Sequence, residues 1–341
     1  MPEFEPIIGA DSDRRYRNKA QYPVETANGR LLTGFYAPFS HRVIDCKNCL
    51  LQPEEFSAIL KAVAKWSERY KIPAYDEKSG KGLLRHIYIR KAFATGEKMV
   101  CLVINGDRIF KKDELISLLT KADKSIKTVL LNHNTEDTNV IMGKKETVLY
   151  GKGYIEDILC GKRFRISPLS FYQVNHAQAE KLYTKAAEFA ITPDTKVLID
   201  MYCGAGTIGL TMADKVASLI GVEIVPEAVE DARVNMKLNN ISNARFICAD
   251  AKEAAAQLKS EGITPDTVIL DPPRKGCDEK LLNTVSEMNP GRIVYVSCDP
   301  ATLARDLAIL EAKGYKTVEA IPYDLFPRTV HVETVSLLIK E

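Results

Sequence analysis

From residue 197 to residue 313 the sequence alternates short apolar runs with stretches of helical periodicity, and this rhythm restricts the chain to few architectures. Strands are predicted at residues 197–201, 218–223, 244–248, 267–270 and 292–296. Helices are predicted between and after them, at 208–216, 226–238, 252–259, 279–288 and 302–313. Strands alternating with helices make a parallel sheet covered on both faces. After the last helix the pattern changes. Residues 316–321 and 332–339 are both strand-like with only a loop between them, which predicts an antiparallel pair added at the sheet edge. Ahead of the first strand, Asn175 is placed as a helix N-cap with Gln178 in the capping-box position. Ala179, Leu182, Ala186 and Phe189 then share one face of a helix over 176–190.

The first half is less regular. Residues 34–36, 84–90, 98–104 and 128–131 read as strands, and 53–70 and 113–122 as helices, an α+β arrangement with helices on one side of a sheet. A chain of 341 residues has room for about two domains. Glycines cluster over 150–161, and the boundary is expected there, with one domain over 1–160 and a second over 161–341. The two halves differ in charge. Residues 1–165 hold 29 Lys/Arg against 21 Asp/Glu, a net of +8, and residues 166–341 hold 18 against 24, a net of −6. A basic half joined to an acidic half suits a first half that meets a polyanion, and equally a solvated basic surface.

No apolar run approaches the ~18 residues that span a bilayer, and the N-terminus has no basic-then-apolar secretory pattern. Eight cysteines spread over the whole chain argue for reduced thiols rather than a disulfide framework. A cytoplasmic monomer without membrane association is expected. Cys46 and Cys49 have metal-ligand spacing but supply only two ligands, so no metal site is expected.

Chemistry is concentrated at the predicted strand ends. Residues 197–209 form a buried strand, a glycine turn and a helix start, in which Gly204-Ala-Gly206-Thr-Ile-Gly209 matches the spacing of a dinucleotide fingerprint. Glu223, ending the next strand, could accept hydrogen bonds from a ribose diol in either a dinucleotide or an adenosyl cofactor. Asp200 separates the two. An acid just before the glycine turn would repel a pyrophosphate but suits a cationic sulfonium and its amino group, so S-adenosylmethionine is expected. Asp250 closes the third strand, where an adenine amino group could find an acceptor. The fourth strand ends in Asp271-Pro-Pro-Arg-Lys-Gly276 and the fifth in Ser297-Cys298-Asp-Pro. Ligands of open α/β sheets bind beyond the carboxyl ends of the strands, which puts Asp200, Glu223, Asp250, Asp271 and Cys298 along one edge.

An aromatic after Asp-Pro-Pro would suit methylation of a base amino group. Arg274 stands there instead, and a cysteine at the next strand end points to carbon methylation. Carbon 5 of uracil is a poor nucleophile until a thiolate adds at carbon 6, and a base must afterwards remove the carbon 5 proton. Glu333, where the terminal strand begins, is a candidate base; by position alone it reads first as a solvent-facing strand carboxylate.

These motifs resemble the bacterial RNA (uracil-5-)-methyltransferases, the group containing the ribosomal and transfer RNA 5-methyluridine enzymes. The resemblance rests on Ile166-Ser-Pro-Leu-Ser-Phe-Tyr-Gln-Val-Asn175, Asp200-Met-Tyr-Cys-Gly-Ala-Gly-Thr-Ile-Gly-Leu210, Asp271-Pro-Pro-Arg-Lys-Gly276, Tyr295-Val-Ser-Cys-Asp-Pro-Ala-Thr-Leu-Ala-Arg-Asp306 and His331-Val-Glu-Thr334, in the family's order. Tyr16-Arg-Asn-Lys-Ala-Gln21 and Gly34-Phe-Tyr resemble the family's central RNA-contacting region. The resemblance implies a Rossmann-like class I methyltransferase sheet, α/β, behind an N-terminal α+β RNA-contacting domain. It implies Cys298 as nucleophile and Glu333 as base, and Gln173, Tyr202, Glu223 and Asp271 in the S-adenosylmethionine site. Many members begin with a small β-barrel RNA-binding (TRAM) domain and three clustered cysteines, completed at the position of Cys49 by a fourth that holds an iron–sulfur cluster. These 341 residues contain neither the barrel nor the upstream cysteines, and no cluster is expected.

The strand-end motifs are nearer the ribosomal members, which implies 23S rRNA as substrate ahead of transfer RNA. Two other classes compete. An NAD-dependent oxidoreductase leaves Asp271-Pro-Pro and Ser297-Cys298-Asp299-Pro300 without a role, and a catalytically silent RNA-binding protein leaves Cys298 without one.

Overall fold

The computed structural model describes residues 3–341; Met1 and Pro2, which open the expected N-terminal domain, lie outside the described residues. The chain forms two compact units, one of residues 14–157 and 166–169, the other of the remaining residues. The short strand β1 (Glu3–Phe4) belongs to the second unit, as do the residues that follow it through Asp13.

The unit of residues 14–157 contains β2 (Lys19–Ala27), β3 (Arg30–Tyr36), β4 (Val43–Asp45), α1 (Phe56–Tyr70), β5 (Leu84–Lys91), β6 (Lys98–Ile104), α2 (Lys112–Ala122), β7 (Ile126–His133) and β8 (Lys145–Tyr150). Its seven strands form one sheet in the order β4-β3-β2-β5-β6-β7-β8. Neighbours are antiparallel except β6 and β7, whose parallel pairing requires a crossover, and α2 supplies it. Phe56, Ile59, Val63 and Trp66 of α1 and Leu115 and Leu119 of α2 share one core with Ile87, Ile89, Val100, Leu102 and Val129 of the sheet. The predicted helices and the four predicted strands are present, and β2, β4 and β8 are additional. Cys46 and Cys49, after β4, lie within hydrogen-bonding reach of each other. Among the described residues, no group of three or more His, Cys, Asp or Glu side chains is placed to hold a metal ion.

The hairpin of β9 (Ile155–Leu159) and β10 (Lys162–Ile166) follows. In the second unit come α3 (His176–Ala190), β11 (Val197–Asp200), α4 (Gly209–Met212) with a 3-10 turn (Ala213–Lys215), β12 (Ser218–Glu223), α5 (Pro226–Leu238) and β13 (Ala244–Cys248). Then follow α6 (Ala251–Ser260), β14 (Thr267–Leu270), α7 (Glu279–Glu287), β15 (Arg292–Ser297), α8 (Pro300–Glu311), β16 (Tyr315–Tyr323) and β17 (Glu333–Lys340). Asn175 caps α3 as expected, accepting from the Gln178 amide at 3.4 Å. The reciprocal half of the capping box does not form: Gln178 Nε2 donates to the Ile8 carbonyl at 3.3 Å, and its Oε1 is buried without a partner among the described residues.

The sheet order is β1-β16-β17-β15-β14-β11-β12-β13. Strands β11 to β15 are parallel, and β14 and the interior of β15 are buried on both faces, hence their continuous apolar runs. The antiparallel pair β16/β17 is present, but β1 adds parallel to β16 and takes the edge. From β11 the chain winds out through β12 and β13, then returns to lay β14 on the other side of β11. That reversal is a topological switch point, where the carboxyl ends of two neighbouring strands open a crevice. Among the described residues, no helix is long and apolar enough to cross a membrane.

Candidate active site

Asp200 ends β11 and Asp271 follows β14, so these two carboxylates flank the switch point. Asp200 is fully buried; its Oδ2 accepts from the Gly209 amide at 3.0 Å, which fixes the start of α4, and Oδ1 is buried without a well-formed hydrogen bond. Burial pushes its carboxyl up to about 7, against the pull of the Gly209 and Tyr202 amides. Gly204 and Gly206 adopt φ of +53° and +81°. A Cβ on Gly204 would meet nothing within 4 Å, so this glycine serves backbone shape and leaves open space above it. At Gly206 a Cβ would lie 2.7 Å from Leu210 Cδ1, so the turn also needs glycine for packing.

Glu223, at the end of β12, braces the turn from outside. Its Oε2 accepts from the Gly204 amide at 3.1 Å and Oε1 from the Val225 amide at 2.9 Å, leaving lone pairs for a diol. Beside it Ile224 and Val225 are 61% and 47% exposed, an apolar step at a polar edge. Asp250 is the N-cap of α6, its Oδ1 accepting from the Lys252 amide at 3.1 Å. Part of its acceptor capacity therefore belongs to the helix. The Tyr202 hydroxyl is engaged with the Cys277 thiol rather than projecting freely, and burial raises its pKa.

The reaction end is built by strand pairing. Antiparallel β15 and β17 match Ser297 with Thr334, and continuing that register by one residue sets Cys298 opposite Glu333. Glu333 is buried, 6% exposed, and also pairs with Tyr323 of β16. Burial pushes its carboxyl up to about 7, with Arg274 pulling the other way. The Cys298 thiol, half-buried, is held above its ordinary value by burial and by the carboxylates of Glu333 and Asp271, again opposed by Arg274. Asp271 is raised well above the carboxylate range by desolvation and by Glu333 and Asp200. Cys298, Glu333, Asp271 and Asp200 thus form one electrostatic neighbourhood, in which Glu333 and Asp200 raise Asp271, and Glu333 and Asp271 raise Cys298.

Two members of that neighbourhood were not assigned a role from the sequence. Arg274 is the cation that faces both Cys298 and Glu333, and its guanidinium lies 3.4 Å from both ring nitrogens of His331. Tyr183 of α3 is buried among Asp271, Thr207, Asp200 and Gln173, and its hydroxyl shares hydrogen bonds with Thr207 and Gln173. Its place one turn after Ala179 makes it look like one more core position, and only the hydroxyl could have marked it. Gln173 enters the site through this contact.

The crevice fits an adenosyl cofactor: an underbonded buried acid, open space over a left-handed glycine, a strand-end carboxylate and an exposed apolar step. The strand order and this edge define a class I S-adenosylmethionine-dependent methyltransferase. A family model described as tRNA (uracil-5-)-methyltransferase matches residues 109–341. An uncharacterized RNA methyltransferase of Clostridium tetani is 46% identical over 336 residues, covering 98% of this chain and 73% of the relative. One from Caldanaerobacter subterraneus is 46% identical over 331 residues, with 97% and 73% coverage. Among solved structures, the Pyrococcus abyssi tRNA (uracil-54, C5)-methyltransferase in complex with S-adenosyl-L-homocysteine matches with a TM-score of 0.82 at 28% identity. That match covers 98% of this chain and 78% of the other. The chain belongs to the tRNA (uracil-5-)-methyltransferase family, and its cofactor is S-adenosylmethionine.

Proposed function

We propose that this enzyme methylates carbon 5 of a uridine in 23S rRNA, with Cys298 as covalent nucleophile and Glu333 as general base. The observation that carries the assignment is the β15/β17 register, which sets a thiol and a carboxylate opposite each other at the cofactor edge. The Cys298 thiolate adds to carbon 6 of the uracil, and the displaced electron pair makes carbon 5 nucleophilic. S-adenosylmethionine, when bound, supplies the electrophilic methyl group that carbon 5 takes up. Glu333 then removes the carbon 5 proton, the electron pair re-forms the ring double bond, and the carbon 6–sulfur bond breaks to release the thiolate. Arg274 favours both the thiolate and the ionised base.

On this reading Glu223 holds the ribose diol, and Ile224, Val225 and Asp250 receive the adenine. Asp200, Gly204 and Gly206 line the methionine end, with Gln173, Tyr202 and Asp271 beside the transferred methyl. Residues 1–160 serve as the RNA-contacting domain of a cytoplasmic monomer. The unit of residues 14–157 and 166–169 supports that role, with 26 Lys/Arg against 17 Asp/Glu. Within it Lys19 pairs in register with Arg90. Burial, with Arg90 and Arg17 alongside, lowers its ammonium to about 8. Among the described residues no carboxylate forms an ion pair with Lys19, an environment that an RNA phosphate would relieve.

Glu333 must be ionised to act, and burial favours its neutral form up to about pH 7. The pH–rate profile of methyl incorporation is therefore expected to steepen by about tenfold per unit below that point. Cys298 acts as thiolate and, being held above its ordinary value, keeps the rate rising with pH beyond that point.

A second reading, methylation of transfer RNA, is favoured by the likeness to the Pyrococcus abyssi enzyme. Incubation with 23S rRNA and with unmodified transfer RNA, followed by mass-spectrometric mapping of 5-methyluridine, separates the two. A single ribosomal site is expected. Product in transfer RNA alone selects the second reading, and methyl transfer to anything but a uridine carbon overturns both.

A further inference from the structure

One motif singled out in the sequence, Ala301-Thr-Leu-Ala-Arg-Asp306, has no place in the chemistry above. Its residues lie on α8, the helix that starts directly after Cys298 and Asp299. Thr302, Arg305 and Asp306 stand three and four residues apart, so they share one helix face. That face holds the backbone of the loop carrying Arg274. Thr302 Oγ1 donates to the Arg274 carbonyl at 3.1 Å. Arg305 donates to the carbonyls of Lys275 at 3.0 Å and Cys277 at 3.3 Å. Asp306, fully buried, accepts from the Cys277 amide at 2.7 Å, from the Tyr295 hydroxyl at 2.5 Å and from Arg305 Nε at 2.8 Å. Gly276, at φ +74°, lies so close that a Cβ there would meet Arg305 at 2.5 Å and Asp306 at 2.6 Å.

We propose that Asp306, with Thr302 and Arg305, is a positioning residue: it clamps the 274–277 loop so that Arg274 stays against Cys298 and Glu333. The inference rests on the roles proposed for those two. A structural helix contact would be served by packing alone. Here a buried carboxylate is committed to a backbone amide and a tyrosine, and its arginine neighbour to two carbonyls of the same short loop. The network continues to the cofactor turn, since the Cys277 thiol also meets the Tyr202 hydroxyl. Cys298 faces Glu333, Asp271 and Arg274, while Glu333 adds Arg274 and the neighbouring Asp271. Of these groups Arg274 alone favours both ionised forms. Releasing the loop therefore moves both ionisations to higher pH.

Asp306→Asn is the test, with Arg305→Gln, half-exposed, and Tyr295→Phe as variants that leave the core filled. For Asp306→Asn, kcat is expected to fall ~10²-fold with KM for RNA and S-adenosylmethionine near wild type. The rising limb of its pH–rate profile is expected to move up by about one unit. Arg305→Gln and Tyr295→Phe are expected to show smaller changes of the same sign. Folded variants with an unshifted limb, whether kcat falls or not, overturn the proposal; if Asp306→Asn does not fold, the other two decide on the same criterion. Failure of the underlying reading looks different, because the wild type itself would then form no covalent adduct with 5-fluorouridine RNA.

Discussion

Cys298→Ala is expected to abolish methyl transfer, a loss on the order of 10⁴-fold or more, while S-adenosylmethionine still binds. The thiol is half-buried and is not among the residues that brace the cofactor turn, so its removal leaves Asp200, Glu223 and the glycine backbone in place. The variant should also fail to form the denaturant-stable adduct with 5-fluorouridine RNA that the wild type forms. That second readout is decisive, because fluorine at carbon 5 cannot be removed as a proton and the carbon 6–sulfur bond stays closed. Wild-type methylation by the alanine variant would remove Cys298 from the mechanism.

Glu333→Gln is expected to separate the two halves of the reaction. Glutamine keeps the shape of the side chain and cannot take the carbon 5 proton, so turnover should fall ~10²–10⁴-fold. The methyl group should nonetheless be found once per enzyme in a protein–RNA adduct stable to denaturant. Stability provides the control. Folding raises the carboxyl of Glu333 from its ordinary value to about 7, so the fold favours its protonated form. This contribution is favourable at low pH and is lost as pH rises through about 7. Above that pH the glutamine variant should melt no lower than the wild type in a thermal scan, which excludes unfolding as the cause of lost turnover. A variant that turns over at the wild-type rate would assign the proton to another group.

The second unit was largely legible in the sequence because buried parallel strands are continuous apolar runs bounded by glycine and acidic turns. Each of β12, β13 and β14 has the predicted bounds, and the others differ by a residue or two at the ends. Legibility was lower where a strand lacks two buried faces. β8 is mostly exposed along its length and offers no apolar alternation, β4 has three residues, and β2 begins at Lys19 and carries Pro23. The two-residue β1 gives no signal at all. At the site, the carboxylates and Cys298 were legible because topology sends strand ends to one edge. Opposition of Cys298 and Glu333 was not, since register depends on the length of the β16–β17 connection and on burial of β17. Tyr183 was hidden by helical periodicity. The Asp306 clamp was hidden because its partners are mostly backbone groups, whose positions no residue type announces.

The β15/β17 pairing also sets how the site can tolerate change. In a strand, successive side chains alternate faces, so a slip of one residue exchanges the two faces. A single inserted or deleted residue between Glu333 and Lys340 would force a choice. Either β17, buried on both faces through Leu338, keeps its side-chain packing, and the residue opposite Cys298 is no longer Glu333, or the pair is kept and Val335 and Leu337 exchange faces with their neighbours. Lineages of this enzyme should therefore absorb length variation in the 324–332 loop, which lies outside the pairing, and almost none within β17.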